Sequence, residues 1–185
     1  MVICAKMMKA EGTLTNNLVV GTVMSNLGFG IGLRKLGIEM ATAPVGDRYV
    51  LEMMKDRGAS LGGEDSGHII FLNHHTTGDG ILSALQVLLA MKKENKPLSE
   101  LARLMDVFPQ KLINVDVSSK PDIATIPEIV EVIEAVETQL GEKGRVLVRY
   151  SGTQNMCRVM VEGPTNEETE TCCRRIVDVV KEKLA

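Results

Sequence analysis

Two short stretches hold most of the side chains in this sequence that could do chemistry. The first is Arg149-Tyr150-Ser151-Gly152-Thr153-Gln154-Asn155, with Arg158 just beyond it. Ser151 and Thr153 offer hydroxyls, Gln154 and Asn155 offer amides, and Gly152 lets the backbone turn and expose its N–H groups. All of these can donate hydrogen bonds, and no carboxylate interrupts them. That set suits a phosphate, whose oxygens only accept and whose charge a planar guanidinium meets with two parallel bonds. A polar hairpin turn with two solvated arginines would leave the same pattern, so the loop alone keeps both readings open.

The second stretch is Gly62-Gly63-Glu64-Asp65-Ser66-Gly67-His68. Its three glycines permit backbone conformations that other residues resist. Glu64 can accept from two adjacent hydroxyls of a sugar, Ser66 can donate or accept, and His68 brings an imidazole, the side-chain type suited to proton exchange. A solvated turn carboxylate and a strand-end histidine would account for Glu64 and His68 equally simply. Together the two stretches describe a site for a phosphorylated sugar. A serine-hydrolase reading of Ser66 fails, because the run is not G-x-S-x-G and an apolar strand, not a helix, follows it. His74-His75 does not read as a metal site, since neighbours on an extended chain face opposite ways and no Cys/His/Asp cluster is near in sequence.

The phosphate-type loop lies between Val146-Leu147-Val148 and Val159-Met160-Val161, two β-branched apolar runs that read as a hairpin. The sugar-type loop leads into Ile69-Ile70-Phe71-Leu72, a continuous apolar run expected to be a strand covered on both faces. Further upstream the pattern predicts a helix over 2–9, a strand at 18–20, and a helix capped by Ser25 running to about Leu36. Gly28-Phe29-Gly30-Ile31-Gly32 is G-x-G-x-G, not a dinucleotide fingerprint. A strand over 38–43, a turn at 44–48 and a helix over 49–55 follow. Asp79 should cap a helix to Lys92 with a wide apolar face of Ile81, Leu82, Leu85, Leu88 and Leu89. Lys92–Pro97 reads as a linker. Beyond it come a half-buried strand around 112–117 and a helix boxed by Thr125 and Glu128. The hairpin and a last helix boxed by Thr165 and Glu168 complete the pattern. The expected fold is a mixed-sheet α/β domain followed by a small α+β domain. The boundaries fall at 1–39 (remnant of a preceding α/β domain), 40–95 and 96–185.

Composition narrows the partners. The chain has 185 residues, 44% hydrophobic, with a formal charge of −3. Aromatics at 3% with no Trp remove the stacking platforms that single-stranded nucleic acid needs, and no basic block invites DNA or an anionic membrane. No apolar run spans a bilayer and no secretory leader is evident, which points to the cytoplasm. Cys4, Cys157, Cys172 and Cys173 read as reduced core thiols.

With both loops in place, the chain resembles the C-terminal part of the α-D-phosphohexomutase superfamily over its whole length. Gly62 to His68 is similar to the family's sugar-recognition loop (G-E-x-S-G-H). Arg149 to Thr153, followed by Arg158-Val159-Met160-Val161-Glu162-Gly163, is similar to its phosphate loop. Thr22 to Gly28 and Val45 to Val50 resemble the phosphoglucosamine mutase branch. The resemblance implies the end of domain 2, then domains 3 and 4. The intact enzyme would interconvert glucosamine 6-phosphate and glucosamine 1-phosphate through a 1,6-bisphosphate, with Mg²⁺, in amino-sugar and cell-wall precursor synthesis. Glu64 and Ser66 would hold sugar hydroxyls, while His68 with Gly46, Asp47 and Arg48 would position the sugar or its transferring group. Arg149, Ser151, Gly152, Thr153, Gln154, Asn155 and Arg158 would bind the unreacting phosphate. The phosphoserine loop and the D-x-D-x-D metal loop are missing here. The chain alone is therefore expected to lack catalysis, with no metal ligands and only His68 as a candidate catalytic group. Gln154-Asn155 replaces the family's Glu-Pro, and Asp65 is unusual, so phosphomannomutase, phosphoglucomutase and a non-catalytic phosphosugar-binding module stay open. The expected partner is a hexosamine phosphate, with a homodimer a further option.

Overall fold

A computed structural model describes all of residues 1–185. The chain forms two compact units, Met1–Val107 and Phe108–Ala185. The first opens with helix α1 (Val2–Ala10), strand β1 (Leu18–Thr22), helix α2 (Leu27–Lys35) and strand β2 (Glu39–Ala43). Helix α3 (Asp47–Arg57), strands β3 (Leu61–Gly63) and β4 (Ile69–Phe71), and helices α4 (Gly80–Glu94) and α5 (Leu98–Leu101) complete it. Its sheet has the order β2-β1-β3-β4, parallel except for β4.

Alternation along the strands splits the core between two faces. Val19, Leu61 and Phe71 pack with residues of α1, α2 and α4, whereas Val20, Ala41 and Ile70 pack with Val50 and Met54 of α3. The apolar run of β4 is thus covered on both sides, as its lack of alternation implied.

The expected boundaries do not coincide with the seams of the structure. β1 lies between β2 and β3 in the sheet, so residues 1–39 are integral to the first unit. Lys92–Pro97 is a helix end, not a linker: Asn95 stops α4 in a left-handed conformation, and Lys93 pairs with Glu11 while Lys6 pairs with Glu94. Leu101 beyond it is buried in the first core. An apolar residue reaching back into a core outweighs a polar stretch in deciding where a domain ends.

Three local expectations also change. Asn26, not Ser25, caps α2 by accepting from the Gly28 N–H at 3.0 Å; Ser25 instead accepts from the Thr22 N–H. Gly28 is required there, because a Cβ would lie 1.7 Å from the Asp106 carbonyl oxygen. Asp47 and Arg48 form the first turn of α3 instead of a loop, with Gly46 as its N-cap at φ +133°. The wide apolar face of α4 is only half covered: Leu82 and Leu89 pack inward, while Ile81 (78% exposed), Leu85 and Leu88 face solvent.

The second unit has strand β5 (Gln110–Asp116), helix α6 (Pro127–Leu140), strands β6 (Arg145–Tyr150) and β7 (Met156–Glu162), and helix α7 (Asn166–Leu184). The antiparallel order is β5-β7-β6. Val115, Cys157, Val159 and Val161 meet Ile129, Val136, Cys173, Ile176 and Val180 of the two helices. Thr165 accepts from the Glu168 N–H and caps α7 as expected. The Thr125 box does not form; Thr125 ends a short 3-10 turn, and Ile126 with Pro127 starts α6. All four cysteines are free and buried.

Candidate functional site

In the second unit, strand register sets Arg149 of β6 opposite Arg158 of β7, with Asn114 of β5 on the other side of Arg158. Further along the same pleat, Arg145, Glu162 and Gln110 form an equivalent row. That row is self-satisfied: the Arg145 Nε donates to Glu162 Oε2 at 2.6 Å, and Gln110 donates to Oε1 at 3.1 Å. The Arg149–Arg158 row has two cations and no carboxylate, and the buried Arg158 Nε has no hydrogen-bond partner. Like charges directly opposite destabilise a pair of strands by something on the order of 0.2–1 kcal/mol. An anion between them would reverse that sign and fill the vacant donor.

The loop joining the strands lies directly beyond this row. The Ser151 N–H donates to the Met156 carbonyl at 2.9 Å, and the Ser151 hydroxyl accepts from the Gln154 N–H, which leaves the hydroxyl proton free to donate outward. Ser151 is buried; Gly152, Thr153, Gln154 and Asn155 are exposed. Gly152 is outside the left-handed region and a Cβ there would meet nothing, so the turn itself does not need a glycine. Lys120 is a third cation that the sequence reading passed over. Its Nζ donates to the Ser151 carbonyl at 2.9 Å, while the Val117 N–H donates to the Asn155 carbonyl. The single lysine in Ser118-Ser119-Lys120-Pro121 gave no periodic or motif signal; only the return of the chain after β5 brings it to the loop.

In the first unit, the turn between β3 and β4 is closed by the Glu64 N–H donating to the His68 carbonyl at 2.9 Å. Gly63 permits that closure, since a Cβ would lie 2.4 Å from the His68 carbonyl oxygen. Glu64 then meets the start of α3. The Gly46 N–H donates to Glu64 Oε2 at 3.1 Å, and Asp47 Oδ2 is 3.1 Å from His68 Nδ1. Ligand atoms of Asp47, Glu64 and His68 all lie within 4.8 Å of one another. Partial burial, and then the neighbouring Asp47 carboxyl, hold Glu64 above the usual carboxylate range. Ser66 reaches His68 Nδ1 at 3.4 Å. Gly46, Asp47, Glu64, Ser66 and His68 are therefore brought together as expected, but Arg48 is not. Its side chain is 83% exposed and bound to Glu52 at 2.8 Å. Gly78, just before the Asp79 cap of α4, was also missed: it packs against His68 so closely that a Cβ would be 3.0 Å away. A cavity of about 400 Å³ elsewhere in this unit, lined by Met7, Phe71, His74 and Leu89, is largely apolar and touches none of these groups.

Residues 1–108 match the family model for phosphoglucomutase/phosphomannomutase alpha/beta/alpha domain III, and residues 112–179 match the model for the C-terminal domain. The chain belongs to this family. Among curated members, phosphoglucosamine mutase of Syntrophus aciditrophicus is 68% identical over 98% of the chain, and that of Listeria monocytogenes is 53% identical over all of it. The chain spans 40% and 41% of their lengths. N-acetylphosphoglucosamine mutase of Aspergillus fumigatus shares the fold, with a TM-score of 0.80 at 18% identity over 98% of this chain and 43% of that one. That mutase has also been solved with GlcNAc-6P and magnesium, and a serine-to-alanine form of it with glucose 1,6-bisphosphate.

Magnesium does not fit the residues of this family member. The convergent set of Asp47, Glu64 and His68 includes an imidazole nitrogen already facing Asp47, whereas Mg²⁺ selects a shell of oxygens. The chain contains no D-x-D-x-D run to supply one.

Proposed function

We propose that this chain is the sugar-recognition and phosphate-binding part of a phosphoglucosamine mutase. The unneutralised Arg149–Arg158 row carries the reading. It is a feature that costs stability unless an anion occupies it, in a sheet that pairs its other outward arginine internally. Arg149 and Arg158 grip the phosphate, with Ser151, Thr153, Gln154, Asn155 and the backbone at Gly152 donating around it and Lys120 holding the loop. Glu64 accepts from vicinal ring hydroxyls, Ser66 adds a hydroxyl contact, and His68 stands where a proton could be exchanged with the sugar.

In the whole protein these groups would serve the interconversion of glucosamine 6-phosphate and glucosamine 1-phosphate through a bisphosphate, in the cytoplasm. Phosphoryl transfer itself needs a phosphate-carrying nucleophile and charge neutralisation by a metal. This chain supplies neither, so alone it binds and does not turn over. Titration calorimetry with glucosamine 6-phosphate should give saturable binding that weakens tenfold or more, about 1.4 kcal/mol or above, in Arg149→Ala. Retained affinity would remove the phosphate loop from the account. Mutase turnover by the homogeneous chain, with Mg²⁺ and glucose 1,6-bisphosphate added, would overturn the division of labour.

A further inference from the structure

The two loops have opposite polarity. Lys120, Arg149 and Arg158 gather at one, while Asp47 and Glu64 gather at the other, where neither carboxylate has an ion pair with a lysine or arginine. Arg48, next in sequence to Asp47, is turned away to Glu52. The start of α3 offsets about half a charge. Two carboxylates within hydrogen-bonding distance exceed that, and Glu64 responds by holding its proton more tightly. His68 Nδ1, 3.1 Å from Asp47, is the one side-chain nitrogen facing this pair, and a neutral sugar would bring no cation to it. A sugar carrying an ammonium group beside one of its hydroxyls would supply both a cation and three donors.

We propose that Asp47 reads the amino group of the sugar, and so determines the preference for an amino sugar phosphate over a plain hexose phosphate. This rests on the binding role given above to Glu64 and Arg149. Glu64 holds the vicinal hydroxyls and is fixed by the Gly46 N–H, while Asp47, the first residue of α3, stands at its flank with one oxygen on His68. The carbon bearing the amine adjoins one of those hydroxyl carbons, which brings the ammonium to the flank. Turning the ring over, as exchange between the 1- and 6-phosphates requires, moves the amine to the opposite flank. Asp47 therefore meets it in one orientation only.

The test is titration of the 185-residue chain with glucosamine 6-phosphate, glucosamine 1-phosphate and the corresponding glucose phosphates, in the native sequence, Asp47→Asn and Arg149→Ala. The native chain should prefer the amino sugar about tenfold in at least one of the two isomers, the ordinary worth of one charge-assisted hydrogen bond. Asp47→Asn should abolish that preference, so that each amino sugar phosphate binds no more tightly than its glucose counterpart. Arg149→Ala should weaken all four ligands. A preference absent from the native chain, or surviving in Asp47→Asn, would sink the assignment while the Arg149→Ala result upheld the phosphosugar site. Loss of every ligand in Asp47→Asn would make Asp47 a general support of the loop and overturn its discriminating role. Indifference of all four ligands to Arg149→Ala would instead overturn the site itself.

Discussion

Arg149 and Arg158 face each other across two strands, and each raises the energy of the other until something negative arrives. The pair should therefore trade stability against binding. Arg149→Gln is expected to melt higher than the native chain in phosphate-free buffer, by up to about 1 kcal/mol. Inorganic phosphate should raise the melting temperature of the native chain and leave the variant's in place. Thermal melts with and without phosphate check both halves. The cysteines act in the opposite sense, as pure packing. Burial pushes the thiols of Cys157 and Cys173 up to about 11, against about 8.5 in an unfolded chain. Because the folded pKa is the higher one, their contribution to stability is whole below about pH 8.5. It is lost as pH climbs toward 11, where the unfolded chain has already shed both protons. Urea midpoints should fall across that interval and flatten in Cys157→Ala/Cys173→Ala, and a thiol reagent at about pH 8 should label these two only after unfolding.

At the scale of elements, the Glu64–His68 loop depends on two strands closing tightly behind it. Gly63→Ala would drive a methyl into the His68 carbonyl, which cannot retreat without releasing Glu64. We expect a loss of about 1–3 kcal/mol in chemical denaturation, together with loss of sugar selectivity, while Arg149-dependent phosphate binding persists. Much at this scale was legible beforehand. Uninterrupted apolar residues marked β4, alternation marked β5, and Thr165 with Glu168 marked the start of α7. The contents of both loops were plain from residue type. What sequence could not convey was long-range. Asn26 outcompeted Ser25 as a cap because Ser25 was already engaged with Thr22. Leu101 moved a boundary by burying itself after a polar stretch. Lys120 reached the Arg149–Asn155 loop through the Ser151 carbonyl far along the chain, and Arg48 turned away from Glu64 because Glu52 lies one helical turn away.

For the molecule as a whole, the two units possess separate cores, and each of the two loops is assembled within one unit. Nothing in either loop needs the other in order to form. Against this self-sufficiency stands α4, where Ile81, Leu85 and Leu88 recur at helical spacing on the solvent side, each more than half exposed. Aliphatic side chains so arranged give water nothing to bond, and the chain should behave accordingly on the bench. It is expected to fluoresce with anilinonaphthalene sulfonate while fully folded, to linger on phenyl resin and to precipitate early in ammonium sulfate. Ile81→Glu/Leu85→Lys/Leu88→Gln should cure all three traits without lowering the melting point, because those side chains support no core. A helix that greasy on its outward side makes this polypeptide a poor solute whenever that side is left bare.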